Sequence, residues 1–230
     1  MDGGTPRPDL SLVGVGLYTA RDAERFTGAR QTAVRRWLRG YRARGRDHSA
    51  LWSSQIDLGD DSLYLGFRDL TEIRVVAALV RERLSLRMVR RAIEIARDRF
   101  GMDRPLSTDR FRTDGKSIFL VLSKENEEMI DVFRDQYAMQ RIIEPSFKKL
   151  DFDDAGEPVR WHVAPGIVLD PHRSFGQPIE AETGVPADIL ADAVAAEGSV
   201  KAAARVYSVP ERAVRRALAF MDPDGVARAA

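Results

Sequence analysis

Cysteine is absent from this 230-residue chain, which excludes disulfides, thiolate metal sites and a cysteine nucleophile. The chain has three histidines, His48, His162 and His172. They lie far apart and lack the spacing of metal ligands. No apolar run approaches the roughly 20 residues of a membrane helix, and the start lacks the apolar segment of a signal peptide. We therefore expect a cytoplasmic protein that has no membrane partner, no metal and no cofactor.

Sequence motifs of catalysis are missing as well. There is no phosphate-binding loop and no serine elbow, and Gly14-Val15-Gly16 lacks the third glycine of a dinucleotide site. The carboxylates at Asp60-Asp61 and around Asp153 lie in turn-like sequence, where aspartate is favoured for local hydrogen bonding. We expect this protein not to be an enzyme.

Arginine, by contrast, is concentrated near the start of a chain whose formal net charge is only +1. Residues 1–46 include ten basic and four acidic residues, and no acid lies between Gly28 and Arg46. That interval holds seven arginines, namely Arg30, Arg35, Arg36, Arg39, Arg42, Arg44 and Arg46. Cations at this density repel one another unless a polyanion binds them, so double-stranded DNA is the first partner that the sequence predicts.

The basic run overlaps a predicted helix-turn-helix. Thr19 caps a first helix, Gly28 supplies the turn, and the second helix is predicted from Gln31 to Tyr41. Its apolar positions fall on one stripe, which leaves the arginines on the outer side to enter the major groove. The arginines beyond the helix are expected to hold phosphates. The predicted DNA-binding residues are Thr19, Gln31, Thr32, Arg35, Arg36, Arg39, Arg42, Arg44 and Arg46.

A wing and two helices are predicted to follow. The segment Arg42–Ser54 is expected to be irregular, and the wing to use strands over Trp52–Asp57 and Leu63–Phe67. Helical spacing continues through residues 70–84 and 86–100, where Gly101 is a natural stop. The arginines of these two helices fit either a solvated face paired with acids or a second DNA surface.

The middle of the chain is predicted to contain more β-structure. A β-hairpin is expected over Arg110–Leu122, turned at Asp114-Gly115, and an acidic helix is expected to begin near Glu125. Val159–Val163 has the pattern of a strand, and Pro165-Gly166 marks a boundary.

After this boundary, alanine-rich helices are predicted near residues 187–196, 200–207 and 210–220. Ala204, Ser208 and Val214 have the spacing of a second helix-turn-helix. Two interpretations stay open for this unit: contact with DNA, or a structural trihelical module for dimerisation or partner docking. The residues of this second DNA or partner surface are Lys201, Arg205, Arg212, Arg215 and Arg216.

The predicted fold class is mainly α with small β additions, that is, α+β. We expect a flexible tail over residues 1–16, a winged helix-turn-helix over 17–67 and a central α+β segment with a β-hairpin over 68–165. A trihelical, helix-turn-helix-like domain over 166–222 and a tail over 223–230 complete the chain. Since one head buries little surface, a symmetric homodimer on an inverted repeat is expected.

Two stretches resemble known families. Tyr18-Thr19 through Gly28 to Val34-Arg35 resembles the opening of a MerR-type winged helix-turn-helix, although Arg30 stands where that family often has a capping serine. The segments Asp170-Pro171, Ser174–Ile179 and Thr183–Pro186, with the helices to Phe220, resemble the small domain of unknown function in bacterial antitoxin-like proteins. In this order, the head, the middle and the tail resemble the long VapB-like antitoxins.

This resemblance implies an antitoxin of a type II toxin–antitoxin pair, which represses its own operon and neutralises a PIN-like ribonuclease toxin. Two alternatives stay open. One is a stand-alone MerR-like transcription regulator without a toxin partner, and the other is an adaptor whose arginines bind an acidic protein or RNA.

Overall fold

The structure is a computed structural model that describes residues 14–43, 45–125 and 144–222. Helices dominate and the sheets are small, so the predicted α+β class is confirmed. The helices are α1 (Ala20–Thr27), α2 (Gln31–Arg39), α3 (Phe67–Arg81), α4 (Leu86–Phe100), α5 (Asp109–Glu125), α6 (Ala187–Glu197), α7 (Val200–Val206) and α8 (Glu211–Met221). The strands are β1 (Tyr18–Thr19), β2 (Tyr41–Ala43), β3 (Arg46–His48), β4 (Tyr64–Leu65), β5 (Leu150–Phe152), β6 (Pro158–Ala164), β7 (Ile167–Leu169) and β8 (Pro178–Glu180). None of the helices in these ranges is long and apolar enough to cross a membrane.

The first two helices form the predicted helix-turn-helix. Thr19 caps α1, since its hydroxyl accepts the N–H of Asp22 and the carboxylate of Asp22 accepts the N–H of Thr19 at 2.8 Å. Gly28 follows α1 in the left-handed conformation at φ 74°, which a residue with a side chain adopts only under strain. Helix α2 ends at Arg39, two residues before the predicted end, because Gly40 leaves the helical conformation.

The wing differs from the prediction. The expected strand pair over 52–57 and 63–67 forms one isolated bridge, between Ile56 and Tyr64, and β4 pairs with β1 instead. The hairpin of the head is β2–β3, which lies in the segment predicted to be irregular. Ala43 pairs with Arg46, and Gly45 between them has the left-handed conformation, at φ 74°, that tight hairpin connections need.

The β-hairpin predicted over Arg110–Leu122 is wrong, because this segment belongs to helix α5. Phe111, Ile118 and Leu122 are fully or almost fully buried, and their separations of seven and four residues place them on one helical face. Asp114-Gly115 has the composition of a turn, yet Gly115 is buried inside the helix, where packing outweighs its weak helix propensity. The acidic helix expected to begin near Glu125 falls on residues 126–143, which lie outside the described residues.

Helix α3 is the centre of the main core. Its residues Leu70, Ile73, Val76 and Leu79 are fully buried, in one cluster with the head, α4, α5 and strands β5 to β7. Helix α4 ends at Gly101 in the left-handed conformation, as predicted. The head therefore shares its core with the middle of the chain.

Four antiparallel strands, in the order β5-β6-β7-β8, connect this core to the C-terminal helices. Pro165 and Gly166 form the turn between β6 and β7, so the sheet continues across the boundary expected at this position. Helices α6, α7 and α8 appear where three helices were predicted, and they build a second core around Leu190 and Val214. Ile167 of β7 lies in that core and ties the helices to the sheet.

A buried acid fixes the connection between α4 and α5. The carboxylate of Glu72, in α3, accepts the backbone N–H groups of Leu106 at 3.1 Å and of Ser107 at 2.9 Å. Burial raises the pKa of Glu72 to about 7, against the opposing effects of these hydrogen bonds and of the positive charge of Arg104. The folded protein therefore binds a proton at Glu72 at a pH where the unfolded chain does not.

We expect Glu72 to make the protein less stable as the pH rises from about 4.5 to about 7. A raised pKa in the fold stabilises the protein fully below the unfolded value near 4.5, and this contribution is lost as the pH approaches 7. The free energy of unfolding should fall by at most about 3 kcal/mol over this range. Urea unfolding at pH 5 and pH 8 measures the change. Glu72→Gln should flatten the difference, whereas Glu94→Gln, on an exposed face of α4, should preserve it. Equal pH dependence in Glu72→Gln and the parent would contradict this assignment.

Candidate nucleic-acid interface

One outward face of α2 holds four of the residues predicted to bind DNA. Thr32, Arg35, Arg36 and Arg39 are all exposed and follow the i, i+3, i+4, i+7 spacing of a single helical face. The opposite side of the helix is buried in the main core. The exposed face therefore offers three guanidinium groups and a hydroxyl from a helix whose orientation is fixed by packing.

Two further predicted contacts already have partners within the head. The amide of Gln31 donates to the carboxylate of Glu24 at 2.7 Å, which ties the start of α2 to α1. Thr19 is occupied as the cap of α1. In the present arrangement these two side chains position the helices, and the contact with Glu24 uses one N–H of the Gln31 amide.

An aromatic stack joins α2 to the hairpin. The guanidinium carbon of Arg36 lies 4.1 Å from the ring centroid of Tyr41, and the ring of His48 lies on Tyr41 at 4.5 Å with an interplanar angle of 12°. Tyr41 and His48 are paired residues of β2 and β3, so the stack follows from the strand register. The cation–π contact with Tyr41 restrains the guanidinium of Arg36, and the residue stays exposed.

The hairpin adds arginines next to the helix face. Arg42 and Arg46 are exposed, and Arg42 lies 3.7 Å from Asp47 in a pair whose side chains are 75% and 85% exposed. Such a pair contributes little free energy and can be exchanged for a phosphate. Arg44 lies outside the described residues.

Arg90 of α4 braces the chain directly after the hairpin. Its guanidinium donates to the carbonyl of Ser49 at 2.7 Å, to the hydroxyl of the same residue at 3.1 Å and to the carbonyl of Ala50 at 2.9 Å. In the same helix, Arg91 pairs with Glu94 at 3.4 Å. These contacts favour a supporting role for α4 over a second DNA surface.

The C-terminal unit uses its arginines differently. Arg212 forms two hydrogen bonds with Glu182, at 2.6 and 3.0 Å, and Arg215 pairs with Glu211 at 3.1 Å. Arg216 donates to Glu180, which is completely buried, at 2.9 Å. Three guanidiniums of the second predicted surface are therefore already paired with carboxylates. Its other two members, Lys201 and Arg205, are exposed on α7.

A direct contact links this unit to the head. The guanidinium carbon of Arg25, in α1, lies 4.7 Å from the ring centroid of Phe220, and its Nη2 lies 3.7 Å from the sulfur of Met221. Just before the start of α1, the hydroxyl of Tyr18 donates to the carbonyl of Gly176 at 2.9 Å. Head and C-terminal unit are thus held by contacts at both ends of α1.

No cluster of three or more metal-binding side chains occurs in the part of the chain that the structure describes. His162 contacts Asp151 at 2.9 Å, and the carboxylate of Asp170 accepts the backbone N–H of His172 at 3.0 Å. His48 takes part in the stack on Tyr41. Each histidine therefore has a structural contact of its own.

Several residues of the site were missed by the sequence analysis. Glu24, Tyr41 and Asp47 contact predicted DNA-binding residues, and Arg90 braces the chain after the hairpin. A usable signal existed for two of them, because a two-residue turn at positions 44–45 would have paired Tyr41 with His48 and Arg42 with Asp47. Arg90 lies about 40 positions from its partners, and no local pattern reports such a contact.

Comparison of the sequence with known protein families and with curated proteins finds no match. The fold is similar to the crystal structure of Rv2018 from Mycobacterium tuberculosis, with a TM-score of 0.64 and 20% sequence identity. The match covers 87% of this chain and 96% of that protein. At this identity the likeness shows a common fold alone.

Arg215→Ala and Arg216→Ala should differ in stability although the residues are neighbours. Loss of Arg216 leaves the buried carboxylate of Glu180 without its cation, which should cost about 1–3 kcal/mol because a hydrogen bond to a buried charged group is broken. Arg215 pairs with Glu211 at the surface, and its loss should change stability by less than about 0.5 kcal/mol. Urea unfolding at neutral pH measures both values. Equal losses would show that the contact with Glu180 has no special role.

Proposed function

We propose that this protein binds double-stranded DNA in a sequence-specific manner through α2 and the β2–β3 hairpin. The observation that carries the proposal is the exposed face of Thr32, Arg35, Arg36 and Arg39. Its residues share one helical face, with no acidic side chain among them, and the helix follows a capped first helix and a glycine turn. A helix of this kind fits the major groove, where arginine donates to guanine.

The contacts divide into base-reading and phosphate-holding groups. Arg35 and Arg39 have no partner among the described residues and are free to reach base edges. Arg36 is restrained by Tyr41, and Arg42 and Arg46 lie on the adjoining hairpin, where phosphates are the expected ligands. Since a single head of this size covers a short site, the protein would act as a homodimer on an inverted repeat.

The biological role that we propose is that of an antitoxin, which represses its own operon and neutralises a PIN-like ribonuclease toxin in the cytoplasm. Support comes from the resemblance of the head and tail to VapB-like antitoxins and from the C-terminal surface. Ile189, Val206 and Tyr207 are 41%, 59% and 40% exposed, and the arginines of α8 are paired internally, which favours protein docking over DNA contact there. The alternative is a stand-alone MerR-like transcription regulator.

Arg39→Ala should weaken binding to the specific DNA site by about 1–3 kcal/mol if the side chain contacts a base, and much less on random DNA. Fluorescence anisotropy on the protein's own upstream duplex and on a scrambled duplex, over a salt series, measures both losses. Arg110→Ala removes an exposed charge from α5 and serves as the control of equal charge. Equal losses on the two duplexes would assign Arg39 to a phosphate, and no loss on either would refute the proposed docking.

The antitoxin role predicts a stable complex with the product of an adjacent gene. If that gene encodes a PIN-like protein with clustered acids, its expression alone should arrest growth, and co-expression of this chain should restore it. Arg39→Ala should still restore growth, because neutralisation would use the C-terminal surface. Specific DNA binding without complex formation would favour the stand-alone regulator.

A further inference from the structure

A cavity of about 250 Å³ lies between the end of α1 and helix α3. Phe26 and Thr27 supply its wall on the α1 side, Arg74, Arg81 and Glu82 supply the wall on the α3 side, and Pro145 closes part of the remainder. It adjoins the turn of the helix-turn-helix, because the guanidinium of Arg81 approaches Gly28. None of these residues takes part in the proposed DNA interface.

Arg74 is held in this wall with unused hydrogen-bonding capacity. Its guanidinium lies over Trp161, 4.5 Å from the ring centroid, and its Nη2 donates to the carbonyls of Pro145 at 2.8 Å and of Lys148 at 2.9 Å. Its Nη1 is buried and has no acceptor among the described residues. Burial also lowers the pKa of Arg74 to about 10, as expected for a cation removed from water. An additional acceptor at this guanidinium would relieve an unsatisfied donor.

The net charge of the cavity wall favours a ligand that carries one negative charge. Arg74 and Arg81 are cationic and Glu82 is anionic, so the three side chains sum to +1. Arg81 is exposed, and no acidic partner for it occurs in the described ranges. Two guanidiniums on one wall suit a carboxylate, which accepts several N–H donors at once.

The size and the apolar surface of the cavity restrict the class of ligand further. A cavity of roughly 150 Å³ accommodates benzene, so about 250 Å³ admits a six-membered ring that bears a carboxylate. Phe26 and Pro145 provide apolar surface for the ring. We propose that this cavity binds a small organic monocarboxylate, whose oxygens accept from Arg74 and Arg81 and whose apolar part packs against Phe26. Since Nη1 of Arg74 is closed to solvent, the wall must shift slightly as the ligand enters.

Benzoate is a suitable probe and benzamide is its neutral counterpart of nearly the same shape. Titration calorimetry on the full chain at constant ionic strength should show saturable benzoate binding, and benzamide should bind at least about tenfold more weakly. This measurement uses the protein without DNA, so the site and the proposed DNA function can fail independently.

Three variants locate the site. Arg81→Gln should weaken benzoate binding about tenfold, because a charge-assisted hydrogen bond is lost. Glu82→Gln should strengthen it by about two- to fivefold, since a repelling carboxylate at the cavity is removed. Arg110→Gln, on α5, should leave it unchanged. Equal binding of benzamide, equal affinity of Arg81→Gln and Arg110→Gln, or no saturable binding in the millimolar range would each overturn the proposal.

Discussion

The buried carboxylate of Asp69 holds the N-terminal head, which contains α1, α2 and the β2–β3 hairpin, in register with the rest of the protein. Its oxygens accept hydrogen bonds from Trp52 Nε1 (3.0 Å), Ser54 Oγ (3.1 Å), Gln55 N (2.8 Å), Gly66 N (3.0 Å) and Arg104 Nε (2.7 Å). These donors come from the chain after the hairpin, the start of α3 and the connection between α4 and α5. A fully buried charge is tolerated only when it is paired and hydrogen-bonded this completely, so the three segments have little freedom to move separately. The hairpin, which begins at the end of α2, is thereby fixed at its other end.

Local signals in the sequence were enough to predict the two helices of the head and the turn between them, but not its hairpin. The cap at Thr19, the turn at Gly28 and the periodic apolar positions of α2 each depend on a few neighbouring residues, and all three are present in the fold. Helix α5 could not be predicted in this way, because Asp114-Gly115 resembles a hairpin turn. Only the core that buries Phe111 and Ile118 selects the helix.

The composition of the outward face of α2 was likewise visible in the sequence, but its internal partners were not. Gln31 contacts Glu24 and Arg42 contacts Asp47 because of helix packing and strand register, which a charge count does not reveal. At Arg35 and Arg39 the structure has the exposed guanidinium groups that the sequence predicted. For Gln31 the fold adds a competing contact that spacing alone could not show, whereas the capping role of Thr19 is one that the sequence itself predicted.

The two units with helix-turn-helix spacing show why such spacing is weak evidence for DNA contact. Small and apolar residues at fixed intervals let two helices cross closely; α7–α8 has them at all three positions, whereas α1–α2 has Glu24 where a small residue is expected. The difference lies in acids that are distant in sequence: Glu180 and Glu182 lie about 30 to 36 positions before the arginines that they bind. Because Glu180 is completely buried, Arg216 compensates its charge, and Nη1 of Arg216 is committed to that carboxylate.

The contact between Arg25 and the end of α8 fixes the position of the C-terminal unit against α1. Arg25 is exposed on α1 and reaches Phe220 and Met221, so the end of α8 lies against the helix that precedes α2. A partner protein bound to that unit would be held by packed side chains and would not hang from a flexible linker. If α2 enters the major groove as proposed, such a partner would have a defined position relative to the duplex. Loss of the cation–π contact would then loosen the coupling between the partner and the duplex without altering any residue of the proposed DNA-binding surface.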